Sequence, residues 1–405
     1  MKVLFCSSIF NIDEYDKLSN KSKVALSLAD HNLNKNFITG LDAVLDSPVK
    51  LINNVPIPNF PKFPQLFFKA QKWSHITKAN DIHCGFINVP IIKHISRYIS
   101  TYRQLKKNTI ANGSDNVFVI VYDLHWGINK AVAKLKRKYP LIHISVILPD
   151  IPNAVLIASG GGKVTTLGKI YAKIKMRFIK NYDSYVFISK YMDQIVDVKN
   201  KKFVVIEGIY NNEQTFLRDK DREEKVILYS GQLNPAYGLN NLLEAFVQIY
   251  QADSHYRLWI CGDGALKEKI VCLEEECPGV KYYGYVNTEK IRELQSQATV
   301  LINPRQNIGE LTKYSFPSKT MEYLASGKPV VGYRLDGIPE EYYNYIQTVE
   351  DNTVISLKNK LMEICSLTKE ERLKIGQNSR DFILKEKNPQ VLCNKIIKMW
   401  MLEEV

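Results

Sequence analysis

Short, continuous apolar runs alternate with longer amphipathic stretches from the start of the chain. Residues 3–5, 117–121, 144–148, 185–188 and 203–206 are rich in β-branched and aromatic side chains and lack in/out alternation. Runs of this kind suit parallel strands covered on both faces. Between them, residues 128–138 and 165–181 carry helical spacing. A second series follows, with strand-like runs at 226–229, 257–261, 280–285, 299–303 and 329–333 and helical stretches at 239–250 and 318–326. Strand–helix alternation of this kind predicts doubly wound α/β sheets, and two series of similar size predict two Rossmann-like domains. The expected boundaries are 1–215, 216–387 and a closing helix at 388–405 packed on the first domain. Asn388-Pro389 supplies the start of that helix, and Leu392, Ile396 and Trp400 fall on one of its faces.

The opening residues Met1 to Ser8 have too short an apolar stretch for a signal peptide, with Asp13 and Glu14 close behind, and read as a first strand. No apolar run approaches the ~18 residues of a membrane span. With 45% hydrophobic residues, the 405-residue chain is neither a disordered nor a collagen-like sequence. Its seven cysteines lie scattered without zinc spacing and are expected as free, buried thiols in a reducing, cytoplasmic setting. Gly160-Gly161-Gly162 lacks the strand–glycine–helix context of a dinucleotide site, and Asp219-Lys220-Asp221 stands in a charged linker, so neither NAD nor a metal is expected there.

Charge changes the picture more than composition does. The net charge is +13, yet residues 1–215 hold 30 Lys and Arg against 15 Asp and Glu, whereas the remainder holds 25 against 27. A basic first half points to an anionic partner of that domain. Nucleic acid is not expected, because no helix-turn-helix, zinc finger or RNP-like strand accompanies the lysines. An anionic membrane surface is. The aromatic and lysine-rich segment 60–73 has an interfacial composition, and Lys169, Lys173, Lys175, Arg177 and Lys180 bracket Ile170, Ile174 and Ile179.

The chemistry concentrates between residues 302 and 338. A strand ending at Asn303-Pro304 is followed by a polar loop and a helix beginning near Phe316-Pro317-Ser318. The N–H groups at such a helix start favour phosphate. Arg305, Lys313 and Lys319 surround the same opening, and Glu322, one turn beyond Ser318, is placed to accept hydrogen bonds from sugar hydroxyls. Diphosphate recognition beside a ribose-binding carboxylate describes a nucleotide-sugar site. In the first half, His125 and Asp150 follow buried strands, and Ser7 and Ser8 end the first strand. These are the edges where doubly wound sheets place ligands.

The layout resembles the retaining, metal-independent glycosyltransferases of family 4, the group 1 transferases of the GT-B fold. The resemblance rests on Ser230-Gly231 with Gly238-Leu239, on Gly262-Asp263-Gly264, on Ser315-Phe316 through Glu322, and on Gly327-Lys328-Pro329-Val330-Val331. It is strong over the C-terminal half and loose over the first. The phrase TKYSFPSKTMEYLASG looks like the bacterial surface-polysaccharide members. The resemblance implies two domains facing across a cleft and a UDP-linked hexose donor on the C-terminal domain. It also implies a glycan or lipid-linked acceptor on the N-terminal one, no metal or cofactor, and work at the inner membrane face.

In that family two glutamates seven residues apart mark the donor site. Glu322 matches the second, while Tyr314 stands at the first, leaving Glu310 to serve instead. Gln232 and Tyr237 stand where the family carries an arginine and a lysine after Ser-Gly, so the phosphate role passes to Arg305 and Lys319. The expected donor set is thus Gly231, Gln232, Arg305, Glu310, Lys313, Tyr314, Ser318, Lys319 and Glu322. His125 and Asp150 are the catalytic-side candidates, His125 by the family's histidine near this point as well as by its position; Ser7 and Ser8 lie on the acceptor side. The departures keep two alternatives open: a weak or inactive GT-B subunit of an assembly complex, and a GT-B nucleotide-sugar epimerase.

Overall fold

In the computed structural model, which describes residues 1–113, 116–151, 166–196, 198, 200–211 and 224–401, each of two units is built on one large, mostly parallel sheet. The first unit comprises Met1–Ile209 with Pro389–Val405, and the second Tyr210–Asn388. The stretches holding Gly160 to Gly162 and Asp219 to Asp221 lie outside the described residues.

In the first unit the chain runs through β1 (Lys2–Cys6), α1 (Ile12–Lys21), α2 (Leu28–Val44), β2 (Lys50–Asn53), β3 (Phe67–Phe68), β4 (Gln71–Trp73), β5 (Asp81–His83), β6 (Phe86–Ile87) and α3 (Ile92–Asn112). It continues through β7 (Val117–Tyr122), α4 (Trp126–Lys138), β8 (His143–Leu148), α5 (Thr166–Ile179), β9 (Ser184–Phe187) and β10 (Lys202–Val205). The sheet order is β10-β9-β8-β7-β1-β2-β5-β4, with only β4 antiparallel to its neighbour, and β3 and β6 form a separate antiparallel pair. The apolar runs of the first half all appear as strands. Strands β2 and β5 have no such run, because they are three or four residues long and carry Asn53, Asp81 and His83 into the interior.

The second unit contains β11 (Lys225–Ser230), α6 (Leu239–Ala252), β12 (Tyr256–Cys261), α7 (Lys267–Glu276), β13 (Val280–Gly284), α8 (Thr288–Gln297), β14 (Val300–Asn303), α9 (Ser318–Ala325), β15 (Val330–Gly332), β16 (Ile346–Thr348), α10 (Val354–Ser366) and α11 (Lys369–Glu386). Its sheet is parallel throughout, in the order β13-β12-β11-β14-β15-β16. Asn388 donates from its side chain to the carbonyls of Leu384 and Lys385 at the end of α11.

The last helix, α12 (Pro389–Met401), belongs to the first unit and packs on α2. Leu392, Ile396 and Trp400 are buried, and the Trp400 indole donates to Ser145 Oγ at 2.8 Å. The two helices meet at Gly40, where a Cβ would stand 2.4 Å from the Pro389 carbonyl oxygen and 2.5 Å from Cys393 Sγ. Only glycine permits that approach. All seven cysteines are free and six are buried as expected, while Cys272 is exposed on α7.

A charged tie holds the far edge of the first sheet. His75 Nδ1 contacts Asp81 Oδ2 at 2.6 Å and its Nε2 contacts Asp42 Oδ2 at 2.8 Å, while the other carboxylate oxygens accept from the Leu51 and Val49 amides. Burial opposes the imidazolium, but hydrogen bonds and charge from Asp42 and Asp81 prevail and lift the His75 pKa to about 9. The folded value lies above the unfolded one, so the stabilisation is complete below about pH 6.5 and is lost as pH rises through about 9. It is worth ~2–3 kcal/mol by linkage. The urea midpoint of His75→Gln should therefore fall well below wild type at pH 6, with the gap closing by pH 10. An equal gap at both values would show that the charge contributes nothing.

Candidate functional site

Each sheet reverses direction once, and each reversal opens a crevice at strand C-termini, where open α/β sheets bind ligands. In the second unit the reversal falls between β11 and β14. Ser230-Gly231 leaves the first of these strands and Pro304-Arg305 leaves the second. Gly238 sits between them with φ +76°, and a Cβ there would lie 1.8 Å from the Pro304 carbonyl oxygen. The start of α6 can therefore press against the exit of β14 only with glycine at this position.

Helix α9 begins at the same place. Its N-cap is Pro317, which makes no side-chain capping bond, so the N-terminal dipole is not closed by a cap. Two bonds aim the helix: Tyr323 Oη accepts from the Ser230 amide at 2.8 Å and donates to the Ser230 carbonyl at 3.0 Å. Asn303 Nδ2 donates to Thr320 Oγ1 at 3.3 Å. Tyr323 is a positioning residue that the sequence reading passed over. Its only signal there was a large polar aromatic on the buried face of a short helix.

Of the expected donor residues, Ser318, Lys319 and Glu322 stand on this helix and Arg305 reaches the segment just before it. Arg305 Nη2 donates to Ser315 Oγ at 3.2 Å, and its guanidinium lies 5.5 Å from the Tyr237 ring centre. A cation from the β14 loop thus stands beside Tyr237, and desolvation pulls the Arg305 pKa down. Lys319 pairs with Glu322 at 2.6 Å, with Glu322 exposed. Lys313 pairs with Glu310 at 2.8 Å, and the Tyr314 hydroxyl lies 3.4 Å from the same Glu310 carboxylate. Glu310 therefore reaches the neighbourhood of position 314, where Tyr314 itself is buried. Ser318 is exposed at the first position of α9. Gly231 donates its amide to the Cys261 carbonyl at 3.0 Å, and Gln232 is exposed, with its backbone oxygen accepting from Tyr229 Oη.

In the first unit the reversal falls between β1 and β7. The chain leaves β7 through Asp123, at φ +63°, whose carboxylate accepts from the Leu124 amide at 2.6 Å. His125 follows as the N-cap of α4, its Nε2 3.4 Å from Asp123 Oδ2, and Lys175 of α5 lies 3.7 Å from Asp123 Oδ1. Desolvation first, then Lys175 and Arg97, outweigh Asp123 and hold the His125 pKa below its ordinary value, so the ring is neutral at pH 7. Asp150 is pushed the other way: desolvation and the charges of Asp30 and Asp123 raise it to about 6. Lys175, read from sequence as a surface cation, belongs to this cluster.

A cavity of about 350 Å³ opens beside His125, lined also by Ser8, the loops 24–27 and 56–59, and Lys93, His94 and Arg97 of α3. Ser8 faces this cavity; Ser7 does not, being fully buried with its Oγ donating to Asn53 Oδ1 at 2.8 Å. Among the described residues no group of three or more His, Cys, Asp and Glu could hold a metal ion.

The fold is that of GT-B glycosyltransferases. Sucrose-phosphate synthase from Thermosynechococcus elongatus superposes with a TM-score of 0.65 at 15% identity, covering 99% of this chain and 98% of that one. The lipopolysaccharide outer core galactosyltransferase WaaB, in its apo form, gives 0.61 at 13% identity over 100% of both chains. The catalytic domain of starch synthase IV from Arabidopsis thaliana, bound to ADP and acarbose, gives 0.62 at 8% identity over 99% of each. No curated protein matches the sequence. Residues 211–382 match the family model of glycosyl transferases group 1. The matched segment spans nearly all of the second unit, Tyr210–Asn388.

Proposed function

We propose that the chain is a retaining, metal-independent hexosyltransferase that moves a sugar from a UDP-linked donor to a glycan or lipid-linked acceptor in surface-polysaccharide synthesis. The observation that carries this reading is the uncapped start of α9 at the sheet reversal, with Arg305, Lys319 and Glu322 around it, inside the segment that matches the transferase family. The second unit holds the nucleotide-sugar, with Glu322 on the ribose and Arg305, Lys319 and the α9 N–H groups on the diphosphate. The first unit holds the acceptor near His125 and Asp150. The acceptor hydroxyl forms the new bond to the anomeric carbon as the bond to the diphosphate breaks, and the hydroxyl proton leaves with the nucleoside diphosphate. Fixed positive charge at the departing oxygens lowers the barrier. A calorimetric screen of UDP, GDP, ADP and their sugars, with and without magnesium, tests the donor assignment. Saturable binding of UDP without metal is expected, and no binding by any nucleotide would leave the inactive-subunit reading in its place.

The same reading puts the first unit against the inner membrane surface. Ile91, Ile92, Ile95 and Ile99 are exposed along one stretch of α3, and Phe67 is 67% exposed on the strand that pairs with β6, itself bonded to α3 through Ser96. Lys62, Lys69, Lys72, Arg103 and Lys107 are exposed in the same segments. The sequence-based interfacial segment is only partly available, since Phe63 is buried and Phe68 stacks on Phe86. Among the described residues no helix is long and apolar enough to cross a membrane. Sedimentation with anionic vesicles should exceed that with neutral ones, fall with added salt, and weaken several-fold in Ile95→Asp. Equal partitioning to both vesicles would remove the membrane from the proposal.

A further inference from the structure

The pocket of the first unit carries a charge imbalance that packing leaves unresolved. Lys93 and Arg97 are one turn apart on α3 and only 4% and 9% exposed. Lys93 Nζ donates to the Ile57 carbonyl and Arg97 Nη2 to the Val55 carbonyl, each at 2.5 Å. Neither forms an ion pair with a carboxylate among the described residues, and Arg97 Nε has no hydrogen-bond partner there. The guanidinium also rests on the Phe86 ring, 4.3 Å from its centre. Carbonyl oxygens and a ring face orient these two cations but supply no opposite charge, and like charges one turn apart repel. Desolvation and the charge of Arg97 pull Lys93 down to about 7.

The rest of the lining supplies no opposite charge. Its other titratable members are His94 and His125, and no carboxylate is among the lining residues. Ser8 is 93% buried, lines the pocket, and its Oγ has no hydrogen-bond partner among the described residues. Of the acids whose charge reaches His125, Asp123 is held by the Leu124 amide and Lys175, and Asp30 accepts from the lining residue Ser27 without contacting either cation. A buried cation pair and an idle hydroxyl around an open cavity of about 350 Å³ are the complement of an oxyanion on a sugar-sized ligand.

We propose that this pocket binds the phosphoryl group of the acceptor, with Lys93 and Arg97 supplying the charge, Ser8 a hydrogen bond, and His125 at the sugar end. The proposal rests on the reading that the first unit holds the acceptor, and it narrows that acceptor to a phosphate or diphosphate ester. A free sugar phosphate and a lipid-linked diphosphate share this chemistry.

Calorimetry with α-D-glucose 1-phosphate, glucose and farnesyl diphosphate, on wild type and on Lys93→Gln, tests it. The phosphate esters should bind at least about tenfold tighter than glucose, and Lys93→Gln should lose about tenfold for the esters alone. Preference for farnesyl diphosphate would identify the lipid-linked source, and preference for glucose 1-phosphate the free one. UDP affinity should be unchanged in Lys93→Gln. Ester binding that survives when no nucleotide binds would remove the transferase reading while upholding the anion site. If Lys93→Gln fails to fold by circular dichroism, reductive methylation of wild type decides. Glucose 1-phosphate should slow modification of Lys93 several-fold, and glucose should not. Equal affinities for ester and glucose, or unprotected Lys93, would overturn the proposal.

Discussion

Replacing His125 with alanine should lower turnover by about 10²-fold while leaving UDP affinity little changed, the loss expected when the group that orients an attacking hydroxyl is removed. The ring stands at the exit of β7, within 3.4 Å of Asp123, and its lowered pKa keeps it neutral at pH 7. A neutral imidazole can accept a hydrogen bond from an attacking hydroxyl, which an imidazolium cannot. The rate should therefore hold above the lowered pKa and fall as pH drops through it. The proposed function assigns nucleotide binding to residues of the second unit, so it should not follow the loss. Measuring kcat against pH together with the UDP dissociation constant separates the two. Full activity in His125→Ala would make this histidine a structural cap of α4.

Glu322→Ala should weaken UDP binding by about tenfold or more, because a charge-assisted hydrogen bond to a sugar hydroxyl is worth ~1.5–3 kcal/mol. Two effects compete in this variant. Removing the carboxylate would lose the proposed ribose contact, but it would also release Lys319, now paired at 2.6 Å, to the diphosphate. The second effect is the smaller, since an exposed ion pair of this kind contributes only ~0.2–1 kcal/mol. Lys319→Ala should accordingly weaken binding less than Glu322→Ala. Calorimetry on both variants checks the order. Unaltered affinity in Glu322→Ala would take the ribose role away from it.

Most strands of both sheets were readable because they are local runs of apolar residues, such as 117–121 or 226–229. The start of α9 was readable for a similar reason: Pro317 and Ser318 announce it whatever packs around them. Elements whose buried faces are polar left no such trace. Strand β2 ends in Asn53, whose side chain bonds Ser7, Ile9 and His83, and those partners lie up to 46 residues away. Helix α3 buries Lys93, Arg97, Thr101 and Asn108, so the helical period that should have marked its inner face reads as surface.

Sequence alone thus determined the alternating α/β architecture, the start of α9 and the basic character of the first half, since each follows from neighbouring residues. Only the tertiary structure decided which cations do what. Arg305 meets Tyr237 across 68 residues, and Lys175 meets Asp123 across 52. Lys93 and Arg97 turn inward onto carbonyls of a loop some 40 residues earlier. A lysine's type fixes its charge, but whether that charge is solvated, paired or held in a pocket depends on what the fold brings within a few ångströms.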